Sequence, residues 1–121
     1  MQQEITLYHN PRCSKSREAL ALLTQQGITP IIRLYLEQPP TEQELATIVR
    51  QLGLSSVRAL IRTKEPEYQQ LALANPTLTE QQLLSSLCQC PKLIERPIMI
   101  KGDQACIGRP PHLILALLEN N

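Results

Sequence analysis

Residues 5–36, ITLYHNPRCSKSREALALLTQQGITPIIRLYL, change their hydrophobic period twice. Residues 5–8 alternate apolar and polar side chains, which predicts a strand. From Ser14 onward apolar residues recur at helical spacing, and Gly27 stands where a helix C-cap is expected. Residues 31–36 predict a second, more buried strand. A strand, a loop, a helix and a strand in succession favour parallel pairing through a right-handed crossover.

The next part of the chain predicts a block of helices. Thr41 and Glu44 have the spacing of a capping box, which predicts a helix that runs to about Leu52. Further helices are predicted at residues 55–61, 65–74 and 80–88, the last of them capped by Thr79.

The C-terminal part returns to strands. The apolar runs 98–100 and 105–107 predict an antiparallel hairpin, and Pro110-Pro111 opens a closing helix. Leu113, Ile114 and Leu117 are expected on the apolar face of that helix. The order of elements predicts an α/β fold, a thioredoxin-like β-α-β…β-β-α core with an inserted helical block.

Length and charge limit the classes of protein to which the chain can belong. With 121 residues we expect a single domain over residues 1–121, with the helical insert at roughly 41–90. Twelve basic and eleven acidic residues leave a net charge of +1. Binding to nucleic acid through bulk charge requires a clear basic excess, so we expect no nucleic-acid partner.

The four cysteines can form disulfides or act as reactive thiols. The N-terminus lacks the basic start and apolar run of a signal peptide, and no apolar run approaches the ~20 residues that span a bilayer. We therefore expect a cytoplasmic protein with no membrane partner, in a compartment that keeps thiols reduced. There the cysteines are either core residues or chemically active ones.

Cys13 lies between the first predicted strand and the first predicted helix. A helix N-terminus carries partial positive charge and unpaired N–H groups, and Arg12, Lys15 and Arg17 add formal charge nearby. Both effects favour the thiolate, which is the nucleophilic form. The same N–H groups can bind a tetrahedral oxyanion. The residues alone leave one alternative, in which Cys13 is an ordinary small residue at a helix start.

Four segments resemble a known family. Residues 8–17, YHNPRCSKSR, resemble the signature loop of the glutaredoxin-coupled arsenate reductase family. Residues 60–66, LIRTKEP, are similar to a second segment of that family. Residues 95–98, ERPI, and 107–110, IGRP, are similar to a third and a fourth. Together the motifs follow the family's order and cover essentially the whole chain.

The resemblance implies roles for individual residues. Cys13 takes the place of the catalytic cysteine, which attacks arsenate to give a thiolate–arsenate adduct. The places of the arginines that hold the oxyanion are taken by Arg62, Arg96 and Arg109. Supporting roles fall to Ser16, His9 and Asn10 in the signature loop, and to Pro97, which stands where thioredoxin-like folds keep a cis proline facing the active cysteine.

The resemblance also implies the partners of the reaction. Glutathione and glutaredoxin resolve the adduct in this family and arsenite is released, so we expect glutathione as a co-substrate, no tightly bound cofactor and no metal. Guanidinium groups suit the oxygens of arsenate, and Arg96 and Arg109 flank the predicted hairpin. The alternative for each arginine is a surface charge. Arg62 is the hardest to place, because its segment is predicted to be helical.

Two other functions stay open. Spx-like proteins of this fold are redox-responsive transcription regulators that bind RNA polymerase, and they carry C-x-x-C at the helix start. Here position 16 is Ser16, so Cys13 has no partner one turn on. The other function is a thiol reductase of the same fold that acts on a different oxyanion, because a site of arginines accepts any tetrahedral oxyanion that fits. Arg12 departs from the smaller residue of some family members.

The remaining cysteines carry a weaker signal. Cys88-Gln89-Cys90 is too tight for an ordinary disulfide and is not a C-x-x-C pair, and no zinc site of usual spacing can be completed around it. Cys106 lies in a predicted apolar strand. We expect all three to be structural, with a resolving role for Cys88 or Cys90 as the alternative.

Overall fold

The computed structural model describes residues 4–119, which contain a four-stranded sheet, five α-helices and two short 3-10 turns. The strands are β1 (Ile5–Tyr8), β2 (Ile31–Arg33), β3 (Ile98–Lys101) and β4 (Gln104–Ile107). The helices are α1 (Ser14–Gln25), α2 (Glu42–Gln51), α3 (Pro66–Gln70), α4 (Glu80–Gln89) and α5 (Leu113–Glu119), with 3-10 turns at Val57–Leu60 and Pro91–Leu93. The chain forms two compact units, one through Gln38 and from Arg96 on, the other Pro39–Glu95.

The first unit is built around β1. This strand pairs in parallel with β2 and antiparallel with β3, and β4 pairs antiparallel with β3, in the order β2-β1-β3-β4. The predicted thioredoxin-like α/β arrangement is confirmed. Tyr8 lies opposite Ile98, and Ile98 lies opposite Ile107. The segments that follow β1, precede β3 and follow β4 therefore leave the sheet at the same end.

Helices α1 and α5 share one apolar cluster with the sheet. Leu7 of β1, Leu23 of α1, Met99 of β3 and Ile114 of α5 are all fully buried in it. Burial of each such side chain contributes about 2 kcal/mol. Helix α1 ends at Gln25 with Gln26 as its C-cap, so Gly27 lies one residue beyond the predicted cap position. Its φ of 75° is in the left-handed region that favours glycine there.

The second unit contains α2, α3 and α4, which make up the predicted helical block at 41–90. The predicted capping box of α2 is confirmed: the Glu44 N–H donates to Oγ1 of Thr41, and the Thr41 N–H donates to the Glu44 carboxylate. Thr79 and Gln82 form the same arrangement on α4. One domain over residues 1–121 stays a prediction, and residues 1–3 and 120–121 lie outside the described residues.

The predicted buried strand at residues 31–36 is shorter and more exposed than expected. Strand β2 ends at Arg33, because the chain then turns back on the carbonyl of Leu34. It also lies at the edge of the sheet, so Ile31 and Ile32 are 50% and 39% exposed. A run of apolar residues does not by itself distinguish an edge strand from a central one.

The predicted helices at 55–61 and 65–74 are also shorter in the structure. The first is reduced to the 3-10 turn Val57–Leu60. The second, α3, ends at Gln70, and Ala72 just beyond it has a φ of 54°, which a helix does not accommodate.

The closing helix begins at Leu113 rather than at Pro110. Ile114 and Leu117 are buried as predicted, whereas the prediction is wrong for Leu113, which is 40% exposed. Among residues 4–119, no helix is long and apolar enough to cross a membrane.

Replacement of the α2 cap, Thr41→Ala, should lower the free energy of unfolding by about 1 kcal/mol, because the N–H of Glu44 loses its acceptor. Urea denaturation measures this change. Thr47→Ala is the matched control, since the Thr47 hydroxyl only bonds back to the Gln43 carbonyl within α2. Equal losses from both substitutions would contradict a specific capping role.

Candidate active site

The loop between β1 and α1 is shaped by Asn10. Its side-chain oxygen accepts the N–H of Arg12 at 3.0 Å, and its backbone carbonyl accepts the N–H of Cys13, also at 3.0 Å. These bonds turn the chain directly into the helix. Cys13 therefore occupies the N-cap position of α1 with an extended backbone, φ −95° and ψ 123°.

Hydrogen bonds of His9 and Ser16 stabilise this loop. The Ser16 hydroxyl lies 2.6 Å from Nδ1 of His9 and accepts the N–H of Asn10 at 3.0 Å. Both side chains are buried, and the N–H of His9 donates to the carbonyl of Arg33. Ser16 thus uses its hydroxyl to tie the loop to the helix, a contact that its motif position alone does not reveal.

Burial lowers the pKa of His9, and the positive charge of Arg17 lowers it further. The neutral imidazole is therefore favoured. Arg17 also donates from Nη1 to the Pro11 carbonyl at 3.0 Å, so it braces the loop from the exposed side. Sequence reasoning treated Arg17 only as a nearby charge, since a contact with a backbone carbonyl leaves no signal in the sequence.

Opposing effects act on the pKa of the Cys13 thiol. Burial alone raises its pKa, but the backbone N–H of Ser16, the Arg96 side chain and the backbone N–H of Lys15 together lower the pKa below its ordinary value. Arg96 acts both as a hydrogen-bond donor and as a positive charge. The net effect favours the nucleophilic thiolate.

Arg96 comes from the segment that precedes β3. It is partly buried, and its Nε is buried with no hydrogen-bond partner among residues 4–119. A buried donor of this kind is uncommon and points to a missing acceptor. The peptide bond between Arg96 and Pro97 is cis, as the resemblance implies for Pro97.

Arg109 follows β4 and lies beside Arg96. Its Nη1 contacts the Arg96 carbonyl at 3.5 Å, and its side chain is exposed. The first unit therefore brings together the signature loop, Arg96 and Arg109, as the positions of the two arginines around the predicted hairpin indicated.

Arg62 belongs to the second unit. It is not in a helix, contrary to the prediction, because Ile61 forms an isolated antiparallel bridge with Ile94 just before it. Its guanidinium contacts Glu65 through Nε at 3.3 Å and Glu95 through Nη1 at 3.6 Å. These carboxylates are residues that sequence reasoning missed, although the three-residue spacing of Arg62 and Glu65 is a usable signal.

The other cysteines are free thiols in different surroundings. Burial raises the pKa of Cys88, helped by the charges of Glu42 and Glu44. Burial and acidic neighbours also raise the pKa of Cys90, and burial raises that of Cys106 to about 11. Cys106 packs against the apolar cluster of the first unit, as expected for a structural cysteine. Within residues 4–119, no three His, Cys, Asp or Glu side chains come together to hold a metal ion.

Residues 8–117 match the sequence profile of the ArsC family. This chain belongs to the ArsC family. An arsenate reductase of Haemophilus influenzae is 48% identical over 114 residues, which cover 94% of this chain and 98% of that protein. One of Neisseria meningitidis serogroup A is 45% identical, with 95% and 98% covered. The solved structure of an arsenate reductase from Vibrio cholerae superposes with a TM-score of 0.93 at 46% identity, covering 96% of this chain and 98% of that one.

Within this ArsC-family site, Arg96→Gln should slow the alkylation of Cys13 by iodoacetamide about tenfold at neutral pH, because loss of a charge-assisted hydrogen bond leaves less thiolate. Arg109→Gln is the control, since Arg109 contacts the Arg96 carbonyl and should change the rate much less. The role of Arg96 is overturned if the two variants react alike.

The lowered pKa of His9 also predicts a pH dependence of stability. As the pH drops, His9 binds a proton in the unfolded chain before it does so in the folded chain. Its contribution to the free energy of unfolding is therefore fully present above the unfolded pKa of 6.5 and is lost as the pH drops through that value. Urea denaturation between pH 7.5 and about 5.5 should show this fall, and His9→Asn should reduce it. The exposed His112 provides the control variant His112→Asn, in which the full pH dependence must persist.

Proposed function

We propose that this chain reduces arsenate to arsenite, with Cys13 as the nucleophile. The observation that carries the proposal is the Cys13 thiol at the N-cap of α1, whose pKa is lowered, beside an Arg96 whose buried Nε has no acceptor among residues 4–119. A tetrahedral oxyanion supplies the acceptor that this donor lacks. The names of the ArsC-family relatives, arsenate reductases, support arsenate as that oxyanion.

The first step is attack by the Cys13 sulfur on arsenic. A sulfur–arsenic bond forms, one oxygen leaves as water after protonation, and arsenic stays pentavalent in the resulting adduct. Negative charge on the remaining oxygens is stabilised by fixed cations and N–H groups. We assign this task to Arg96 and Arg109 and, by its motif position, to Arg62.

The supporting residues keep the nucleophile in place. Ser16 and His9 tie the signature loop to α1, and Asn10 sets the turn that delivers Cys13 to the helix end. Pro97 fixes the path of the segment that carries Arg96. The reaction can depend on each of these side chains even though none of them needs to contact arsenic.

We further propose that the reducing electrons come from outside the chain, from glutathione with glutaredoxin. Conversion of As(V) to As(III) takes two electrons, which two thiols supply by becoming a disulfide. Position 16 is a serine, and the pKa of each of the three other cysteines is raised rather than lowered. Both observations support an external resolving thiol. The abundance of glutathione in the cytoplasm fits this assignment.

The test is a coupled assay with arsenate, glutathione, glutaredoxin, glutathione reductase and NADPH. Wild type should oxidise NADPH in an arsenate-dependent way, and Cys13→Ser should reduce the rate to background because the nucleophile is gone. Cys106→Ser and Cys88→Ser are matched controls that should retain activity. Absence of Cys13-dependent turnover would remove arsenate reduction, and turnover with another oxyanion in place of arsenate would redirect the proposal to that substrate.

A further inference from the structure

Gly108 lies at the end of β4, where three parts of the first unit meet. Its N–H donates to the carbonyl of Pro97 at 2.8 Å, so the β3–β4 pairing extends one step beyond Ile98 and Ile107. Gly108 is buried, and Arg109 follows it directly. The residue therefore connects the segment that carries Arg96 with the segment that carries Arg109.

The reason for a glycine here is space. A Cβ at position 108 would lie 3.0 Å from Cγ of Pro97 and 3.0 Å from Cδ1 of Ile114. Both distances are tighter than ordinary carbon–carbon contacts of about 3.5–4.0 Å. By contrast, a Cβ at Gly27 or Gly53, both of which have a left-handed φ, would meet nothing within 4 Å. Gly108 has no left-handed φ, so backbone freedom does not explain it.

The two contacts differ in what they affect. Ile114 belongs to α5 and to the apolar cluster, whereas Pro97 is joined by one peptide bond to Arg96. Arg96 in turn acts on the Cys13 sulfur as donor and as charge. A displacement of the Pro97 ring would therefore also move the backbone of Arg96, whose guanidinium stabilises the thiolate.

We propose that Gly108 is a positioning residue for the Cys13 site: the absence of a side chain lets Pro97 and α5 close against it, which sets where Arg96 meets the sulfur. This role rests on the proposed function only in that Cys13 is the nucleophile. Gly108 itself touches no reacting atom.

The experiment measures the rate of Cys13 alkylation by iodoacetamide at neutral pH, with labelling at Cys13 quantified by peptide mass spectrometry. Gly108→Ala should slow alkylation at least about threefold, because displacement of Arg96 weakens a charge-assisted hydrogen bond to the thiolate. Ile114→Val alone should react like wild type. In the double variant Gly108→Ala with Ile114→Val, the Cδ1 atom of Ile114 is gone, so the new methyl can shift into that space and away from Cγ of Pro97. The rate should then return to within about twofold of wild type.

A second arm separates positioning from general damage to the fold. In an Arg96→Gln background, Gly108→Ala should slow alkylation no further, because its route to the sulfur has been removed. The proposal is overturned if Gly108→Ala reacts at the wild-type rate, if Ile114→Val does not restore the rate, or if the slowing persists without Arg96. The alkylation assay contains no arsenate, so a negative result in it can be told apart from a negative result in the coupled reductase assay. Should Gly108→Ala not fold, Pro97→Ala tests the same contact from the other side: loss of the ring that packs against Gly108 should slow Cys13 alkylation at least about threefold, and a wild-type rate overturns the proposal.

Discussion

The register of β1 against β3 is the constraint on which the candidate site depends. Because Tyr8, the last residue of β1, lies opposite Ile98, the first residue of β3, the loop that leaves β1 and the segment that enters β3 share one end of the sheet. The pairing of Ile98 with Ile107 adds the exit of β4 to the same end. A slip of either pairing by one residue would reverse the faces of the strand and separate the arginines from the thiol.

Given this arrangement, the properties of Cys13 follow from a balance of two opposing effects. Partial burial disfavours the thiolate, and the N–H groups of α1 with Arg96 more than compensate for that cost. The contribution of the helix to the electrostatic field at the sulfur is fixed, since backbone dipoles cannot rotate away. Arg96 contributes the part that depends on side-chain placement. The overall charge of +1 says nothing about either effect, because both act within a few ångströms of one sulfur.

Local signals predicted most of the fold, and the errors share a physical origin. The strand β1, the start of α1, the capping box at Thr41 and the β3–β4 hairpin each depend on interactions between residues close in sequence, so their patterns are visible in the chain. The extent of β2 depends instead on its place at the edge of the sheet, which only the assembled sheet defines. The helix predicted at 65–74 was too long because the chain at Ala72 adopts a left-handed φ just after α3. The helix predicted at 55–61 is reduced to a 3-10 turn, after which Ile61 pairs with the distant Ile94.

The candidate site shows the same division. Cys13 could be singled out because a cysteine at a helix start with flanking cations has a direct electrostatic meaning. The motif resemblance then supplied the arginines, and the hairpin explained how Arg96 and Arg109 meet. Gly108 escaped notice because the sequence does not show which atoms a missing side chain makes room for. Glu95 escaped notice because it lies far from Arg62 in the chain, whereas Glu65 is only three residues away and could have been found from its spacing.

The four cysteines differ in how strongly the fold favours their thiolate forms. One cysteine is activated, and the remaining three have pKa values shifted in the opposite direction by burial and by acidic neighbours. A raised pKa leaves less of a thiol as thiolate at neutral pH, so Cys88, Cys90 and Cys106 are weaker nucleophiles than Cys13. The seryl hydroxyl at position 16 is instead engaged with His9 and Asn10, which holds the loop in one conformation. Position 16 thus holds a hydroxyl that fixes the signature loop rather than a second thiol, and the proposed use of an external thiol fits this arrangement.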